Sequence, residues 1–493
     1  MTTRIQRWRT LLKWCVLTAL LAWLGMMIYH SFKPLPQGIS VAAPATEVEQ
    51  VRFLADLTWV DDDDVRTTDQ QIFDRILELI GQAEQLIVLD KFLFNEFAGL
   101  PDGPNMRPLS DQLTEALLTR KTDRPDVRVV LITDPINTLY GGLDSDHLNV
   151  LRQAGIEVVI TDLTRLRDSN PLWSGFWRLC CQWFGNSSNG GWLPNPVGRE
   201  KVSLRTWLKL INFKANHRKT LVVDRGNTWT GLVTSGNPHD ASSAHGNVAL
   251  EYSGAGVLHL LQSEQAVVDF SKPELGLLAQ ANNAAGAVPQ ISPAMQVLTE
   301  SKIRDYVIST LEHSGPGARV DLAMFYLSHR GVVRSLIDAH ERGVELRVLL
   351  DPSEDAFGKK KNGIPNRQVA WELHRAGIPV RWCDTHGEQC HSKFMLVRKP
   401  DEQGYSSTTR AALLLGSANF TRRNLDDFNL ETNLLLQARS EYQAMIDAAD
   451  FFELRWNNAP NQHFSRPYEY YADHSHLRYW RYRLMEATGL STF

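Results

Sequence analysis

The chain has 493 residues, with 52 Lys and Arg against 56 Asp and Glu, a formal net charge of −4. Hydrophobic residues make up 43% and charged residues 22%, a globular composition that excludes a disordered chain. The slightly acidic balance counts against a protein whose main task is gripping nucleic acid, a class that is usually basic, while leaving room for a local basic groove.

The first element is an apolar run over 14–29, broken only by Thr18. With Leu11, Leu12 and a Lys13 that can snorkel, it is long enough to span a bilayer. Arg4, Arg7, Arg9 and Lys13 precede it and only Lys33 follows closely, so the positive-inside rule leaves the tail 1–10 in the cytoplasm and the remainder outside. A cleaved signal peptide is the rival reading. Its small-residue site at 41–43 lies far beyond the apolar run and is followed by Pro44, which favours an uncleaved anchor over 11–30. Residues 31–50, with Pro34, Pro36, Gly38 and Pro44, read as a linker.

From about residue 51 the pattern alternates and then repeats. A helical spacing at 71–80 leads into the strand-like run QLIVLDKFLF at 85–94. A helix candidate at 109–120 is followed by VRVVLITDP at 127–135 and, after another helix, by AGIEVVITD at 154–162. The same order returns as a helix at 303–311, RVDLAMFYL at 319–327, a helix at 332–340, VELRVLLDP at 344–352 and AGIPVRWCD at 376–384. Asp-Pro closes one strand and Ala-Gly-Ile opens the next in both copies, so the chain reads as a duplication, 51–288 and 289–493. Alternating strands and helices predict α/β halves with a largely parallel sheet in each.

Each half then delivers a histidine, a spacer and a lysine at the head of an apolar strand: His217-Arg-Lys219 running to Asp224, and His391-Ser-Lys393 running to Arg398. Residues two apart on a strand share a face, so each His and Lys project together. A small-residue turn with an asparagine follows in each half, Ser235-Gly-Asn237 and Gly416-Ser-Ala-Asn419, and then a carboxylate, Glu251 or Glu431. On these residues the chain resembles the phospholipase D superfamily, whose signature is His-x-Lys-x4-Asp followed by a Gly/Ser-x-Asn turn. The resemblance extends over about 51–493 and implies two α/β halves related by pseudo-twofold symmetry, here preceded by one transmembrane helix.

The chemistry needs these residue types. A neutral imidazole can attack phosphorus and form a phosphohistidine. A second imidazole protonates the leaving oxygen and then activates water or an alcohol. Lys219, Lys393 and the turn residues Ser235, Asn237, Ser417 and Asn419 are candidates to hold the phosphate oxygens. Glu251 and Glu431 are candidates to fix the second ring nitrogen of each histidine. The resemblance implies that the first histidine, His217, is the nucleophile and His391 the general acid, and it places Asp224 in the catalytic motif. No cofactor or metal is called for. The second motif departs from the signature at Arg398, with Asp401 nearby but out of register, which admits a catalytically impaired binding homologue.

Other polar residues carry less. His239, Asp240, Ser243 and His245 could line the pocket but read better as a solvated loop, and Asp90 and Lys91 read as structural charges at a sheet edge. Cys383 and Cys390, seven apart, could be bridged in an oxidising compartment or stay unpaired. The sequon patterns at Asn186 and Asn419 carry little weight, because the second falls on the predicted phosphate turn.

The span from Ala-Gly-Ile to histidine is 62 residues in the first copy (Gly155 to His217) and 14 in the second (Gly377 to His391), which marks an insertion at about 164–212. Trp173, Phe176, Trp177, Trp183 and Phe184 give it an apolar helical face, and Arg165, Arg167, Arg178 and Lys209 flank it. Such a segment suits the headgroup level of a bilayer, or packs as an ordinary subdomain. The first functional expectation is a phosphodiesterase or phosphatidyltransferase acting on a phospholipid. A membrane-anchored nuclease of the same superfamily is the enzymatic alternative, and a scaffold the non-enzymatic one.

Overall fold

The computed structural model describes residues 2–96, 106–195, 198, 200–277, 293–356, 359–399, 410–491 and 493. The expected boundary at 288–289 and Asp401 lie outside these.

Helix α1 (Thr2–Phe32) contains the stretch Arg4–Phe32, the one helix among the described residues long and apolar enough to cross a membrane. At about 1.5 Å per residue it exceeds the roughly 30 Å of a hydrocarbon core.

Two large sheets follow. The first is built on β1 (Gln50–Val60), β2 (Leu86–Lys91), β3 (Arg128–Thr133), β4 (Glu157–Ile160), β5 (Lys219–Asp224), β6 (Trp229–Thr234) and β7 (Asn247–Ser253), in the order β1-β7-β6-β5-β2-β3-β4. The second uses β8 (Ala294–Thr299), β9 (Arg319–Met324), β10 (Glu345–Leu350), β11 (Val380–Cys383), β12 (Lys393–Lys399), β13 (Arg410–Gly416) and β14 (Thr432–Arg439), in the order β8-β14-β13-β12-β9-β10-β11. Strand order and strand direction repeat between the two, so the duplication read from the Asp-Pro and Ala-Gly-Ile markers is a duplication of topology.

The markers have a physical basis. Gly155 and Gly377 end their helices at φ +77° and +86°, a left-handed turn that costs glycine little. The amides of Ile156 and Ile378 then bond back to the carbonyls of Leu151 and Leu373, closing each helix end as its strand begins.

The sheets are mixed, where a largely parallel arrangement was expected. Only β2-β3-β4 and β9-β10-β11 are parallel, because helical crossovers such as Leu109–Asp123 and Arg330–Glu341 connect them. The connection from β5 to β6 is too short for a crossover, and that pair is antiparallel. Asp90 and Lys91 also differ from expectation. They lie inside the sheet, with β2 paired on both sides, and both are fully buried.

The expected linker at 31–50 is docked rather than free. Ala43 N–H donates to Val297 O, and Thr46–Glu47 pairs with β8 as an added edge strand. Ile39, Ala43 and Val48 are buried there, so the anchor is tied to the second sheet. The two sheets share one apolar core in which Phe53 of β1 meets Phe394 of β12 and Phe451 at ring distances of 6.3 and 5.5 Å. Truncating a buried Phe in such a core costs about 3–5 kcal/mol.

Candidate functional site

Each histidine is placed by the same set of contacts. The Asp of each Asp-Pro marker reaches across to the residue before the histidine: Asp134 accepts from Asn216 N at 2.7 Å, and Asp351 accepts from Cys390 N at 2.9 Å. The histidine amides then cross between the halves, His217 N to Leu430 O at 2.9 Å and His391 N to Gly246 O at 2.8 Å. An aromatic ring follows the central strand of each half, and its centroid lies 4.8 Å from the imidazole, Phe92 at His217 and Phe325 at His391. Lys219 Nζ donates to His217 O at 2.7 Å and Lys393 Nζ to His391 O at 2.8 Å, each 5.1 Å from the neighbouring ring centre.

Both histidines and both lysines are buried and within electrostatic reach of one another. Burial lowers His217 to about 4, with the Glu431 carboxylate opposing the shift. Burial also pushes His391 well down, with Lys393 and His245 adding to it. Lys219 falls to about 7 through burial, and Lys393 falls well below its usual value through burial and the Lys219 charge.

The second ring nitrogens have different partners. His217 Nδ1 lies 3.0 Å from Glu431 Oε1, a carboxylate from the other half that is fully buried. Ser417 and Asn424 also donate to that carboxylate. His391 Nδ1 lies 3.1 Å from Asn247 Oδ1. The Asn247 amide donates to His245 O and accepts from Ser235 Oγ, which fixes its oxygen toward the imidazole and makes His391 Nδ1 the donor.

The family model described as "Cardiolipin synthase, PLD-like domain" matches residues 307–456, which contain His391, Lys393, Ser417, Asn419 and Glu431. The crystal structure of phosphatidylserine synthase from Haemophilus influenzae superposes with a TM-score of 0.56 at 11% identity, over 96% of this chain and 99% of that one. Residues 307–456 carry a phospholipase D-like domain. Polyphosphate kinase of Porphyromonas gingivalis (12% identity, 92% and 56% coverage, TM-score 0.45) and the phospholipase D family member Nuc of Salmonella typhimurium (17%, 36% and 99%, 0.26) are also similar. No curated protein matches in sequence.

Against the superfamily motif, three sequence expectations change. Glu251 orients no histidine: its carboxylate is held by Arg75, at 2.7 and 2.6 Å. The structural counterpart of Glu431 is Asn247. Ser417 Oγ accepts from Thr432 N, the residue after Glu431, and Ser235 Oγ accepts from Val248 N, the residue after Asn247. Asp224 is not catalytic by position. It ends β5, five residues from Lys219 or about 16 Å along a strand, and accepts the amides of Gln85 and Leu86. Ser235 and Ser417 face these orienting groups rather than the site, so they hold Asn247 and Glu431 instead of phosphate.

Asn237 accepts from Leu93 N at 3.3 Å, and the Asn419 side-chain amide, whose Oδ1 is buried, makes no hydrogen bond among the described residues. Arg398, where the motif has Asp, pairs with buried Asp321 at 2.6 Å beside Arg347, on the far end of β12.

Of the loop 239–245, His239, Ser243 and His245 are buried rather than solvated while Asp240 is partly exposed, and the His245 ring lies 5.9 Å from that of His391. Sequence reasoning missed Asn247, Phe92 and Phe325. Asn247 lies 12 residues after Ser235 where Glu431 lies 14 after Ser417, so spacing alone does not mark it; the serine bonds to Val248 and Thr432 do. Cys383 and Cys390 are bridged, and so are Cys180 and Cys181.

Proposed function

We propose that this protein is a phosphodiesterase or phosphatidyltransferase that acts on a phospholipid through a phosphohistidine. The observation that carries the reading is the meeting of two His-Lys pairs in one buried cluster with unequal partners, Glu431 on His217 and Asn247 on His391. Glu431 holds the proton on Nδ1 of His217 and leaves the Nε2 lone pair free to attack phosphorus. Phosphorylated at Nε2, the ring becomes cationic, and the carboxylate offsets that charge. His391 has only a neutral amide oxygen to stabilise its cation, so once protonated it gives its proton up readily to the leaving oxygen. It then takes a proton from water or an alcohol, whose oxygen attacks phosphorus and releases His217.

Lys219 and Lys393, both pushed down by burial, regain charge beside a phosphodiester anion, and the side-chain amides of Asn237 and Asn419 are donors for its non-bridging oxygens. The basic N-terminal tail is read as cytoplasmic, which puts the catalytic halves on the outer side of the membrane. The alcohol or water acceptor distinguishes transferase from hydrolase within one mechanism.

The test uses the full chain in detergent with phosphatidylglycerol, cardiolipin and single-stranded DNA. Phosphatidic acid or a transphosphatidylation product, lost on His217→Asn, is the expected result. Cleavage of DNA alone would make it a nuclease, and no turnover of any of the three by a folded protein would leave it a scaffold.

A further inference from the structure

The insertion that precedes His217 is attached to the membrane helix. Its helix α2 (Pro171–Cys180) lies against the last turns of α1: a Cβ added at Gly175 would come within 2.8 Å of Met27 Cγ, and Trp23 Nε1 donates to Leu172 O at 3.0 Å. Asp168 N bonds His30 O, and Lys33 Nζ bonds Thr164 O. The side of α2 away from the body carries Leu172, Phe176 and Leu179, 40%, 49% and 38% exposed, and Trp183 and Phe184 continue it at 73% and 68%. These side chains run on from the exposed apolar surface of α1, so the bilayer that takes α1 is what covers them.

Directly behind that face, α2 and helix α3 (Leu204–Leu210) flank a shallow, open pocket lined in part by Tyr140, Trp177, Arg178, Lys209 and Lys214. Its charge is unbalanced. Arg178 and Lys214 share one buried carboxylate, Asp168. Arg205 stacks 3.9 Å over Trp177 and, among the described residues, donates to the backbone carbonyls of Cys181 and Gln182 alone. Lys209 Nζ stands 5.6 Å from the Tyr140 ring and has no carboxylate partner among the described residues. Burial and Arg205 lower Lys209, outweighing the opposing pull of Asp134 and Asp162, as expected of a sheltered cation without a carboxylate in direct contact.

We propose that this pocket binds the phosphate of an anionic phospholipid from the leaflet in which α1 ends, with the acyl chains lying along Leu172, Phe176, Leu179 and Trp183. Four cations share one directly paired carboxylate, Asp168, with Asp134 and Asp162 acting only from further off; this excess supplies the attraction, and the aromatic face supplies the depth. The site is separate from the His-Lys cluster and does not depend on turnover. It seats the outer-side catalytic halves on the bilayer surface, with the segment from Lys214 to His217 leading straight from the seat to the catalytic strand.

The test uses the full chain in dodecyl maltoside, made catalytically silent with His217→Asn, and titrates it with dioleoylphosphatidylglycerol or dioleoylphosphatidylcholine by native mass spectrometry. Phosphatidylglycerol should be retained about fivefold or more over phosphatidylcholine, and Lys209→Gln should remove most of that preference while Lys209→Arg keeps it. Trp183→Ser should weaken retention of both lipids. Lys209 is partly buried and makes no ion pair among the described residues, so Lys209→Gln should melt close to the parent, and a melting scan checks this. Equal retention of the two lipids, an unchanged preference in a folded Lys209→Gln variant, or displacement by inorganic phosphate as effective as by lipid would each overturn the proposal, the last in favour of a soluble phosphate ligand.

Discussion

Glu431 hydrogen-bonds Nδ1 of His217 at 3.1 Å, although 214 residues separate them in the chain. The carboxylate and the imidazole come from different halves, and neither half makes this pair alone. Glu431→Gln keeps a hydrogen-bonding group in place but removes the charge that offsets a cationic phosphohistidine. Turnover should fall by about 10² to 10⁴-fold with little change in melting temperature. Glu251→Gln is the control: it breaks the Arg75 pair and should cost about 1–3 kcal/mol of stability while leaving turnover within a few-fold of the parent. If Glu251→Gln abolished turnover in a folded protein, the assignment of Glu431 as the orienting acid would have to be abandoned.

Asn247 is the neutral counterpart of Glu431, and its identity sets the acid strength of His391. Asn247→Asp places a carboxylate 3.1 Å from Nδ1, which stabilises the imidazolium and raises its pKa. His391 donates its proton from the cationic form, so a raised pKa keeps that form to higher pH. The alkaline limb of the kcat/KM profile should move up by about one pH unit. An unmoved limb would separate His391 from the general-acid step.

The neutral state of His217 also ties stability to pH. Burial holds it at about 4, against 6.5 for an unhindered imidazole. Between these values the unfolded chain binds a proton that the folded chain does not, so stability rises with pH across the window and is lost as pH falls from 6.5 toward 4. The loss is up to about 3 kcal/mol. His245, lowered to about 3 by burial, adds a contribution of the same sign. Chemical denaturation at several pH values should show this slope, and His217→Asn should flatten part of it. A slope the same in both would place the proton elsewhere.

The halves, the two His-Lys pairs and the apolar anchor were legible because each is written locally. Periodicity, a two-residue spacing on a strand and an unbroken apolar run all survive without knowledge of the fold. The orienting groups were not legible in the same way. Glu251 was chosen because it is the carboxylate that follows the first turn, but strand register hands the position to Asn247 and leaves Glu251 to Arg75. The Asp-Pro markers were read as punctuation, and only the fold shows Asp134 and Asp351 gripping the amides ahead of the two histidines. The tryptophans of the insertion divide between both readings: Trp177 packs inward at 7% exposure, while Trp183 and Trp192 stay outside.

The fate of the motif aspartate gives the last test. Asp224 accepts two strand amides at 2.7 and 2.6 Å and so fixes the start of β2, at the opposite end of β5 from Lys219. Asp224→Ala leaves two sheltered amides unpaired, about 1–3 kcal/mol each, so the melting temperature should drop clearly. Turnover measured well below that temperature should stay within a few-fold of the parent. In the second half the same position holds Arg398, which balances the buried carboxylate of Asp321 together with Arg347. Restoring the motif with Arg398→Asp therefore sets two carboxylates against each other and should destabilise the fold without raising activity. A gain in turnover from that substitution would mean that the second motif is impaired as it stands and that its aspartate acts on the chemistry rather than on the strand.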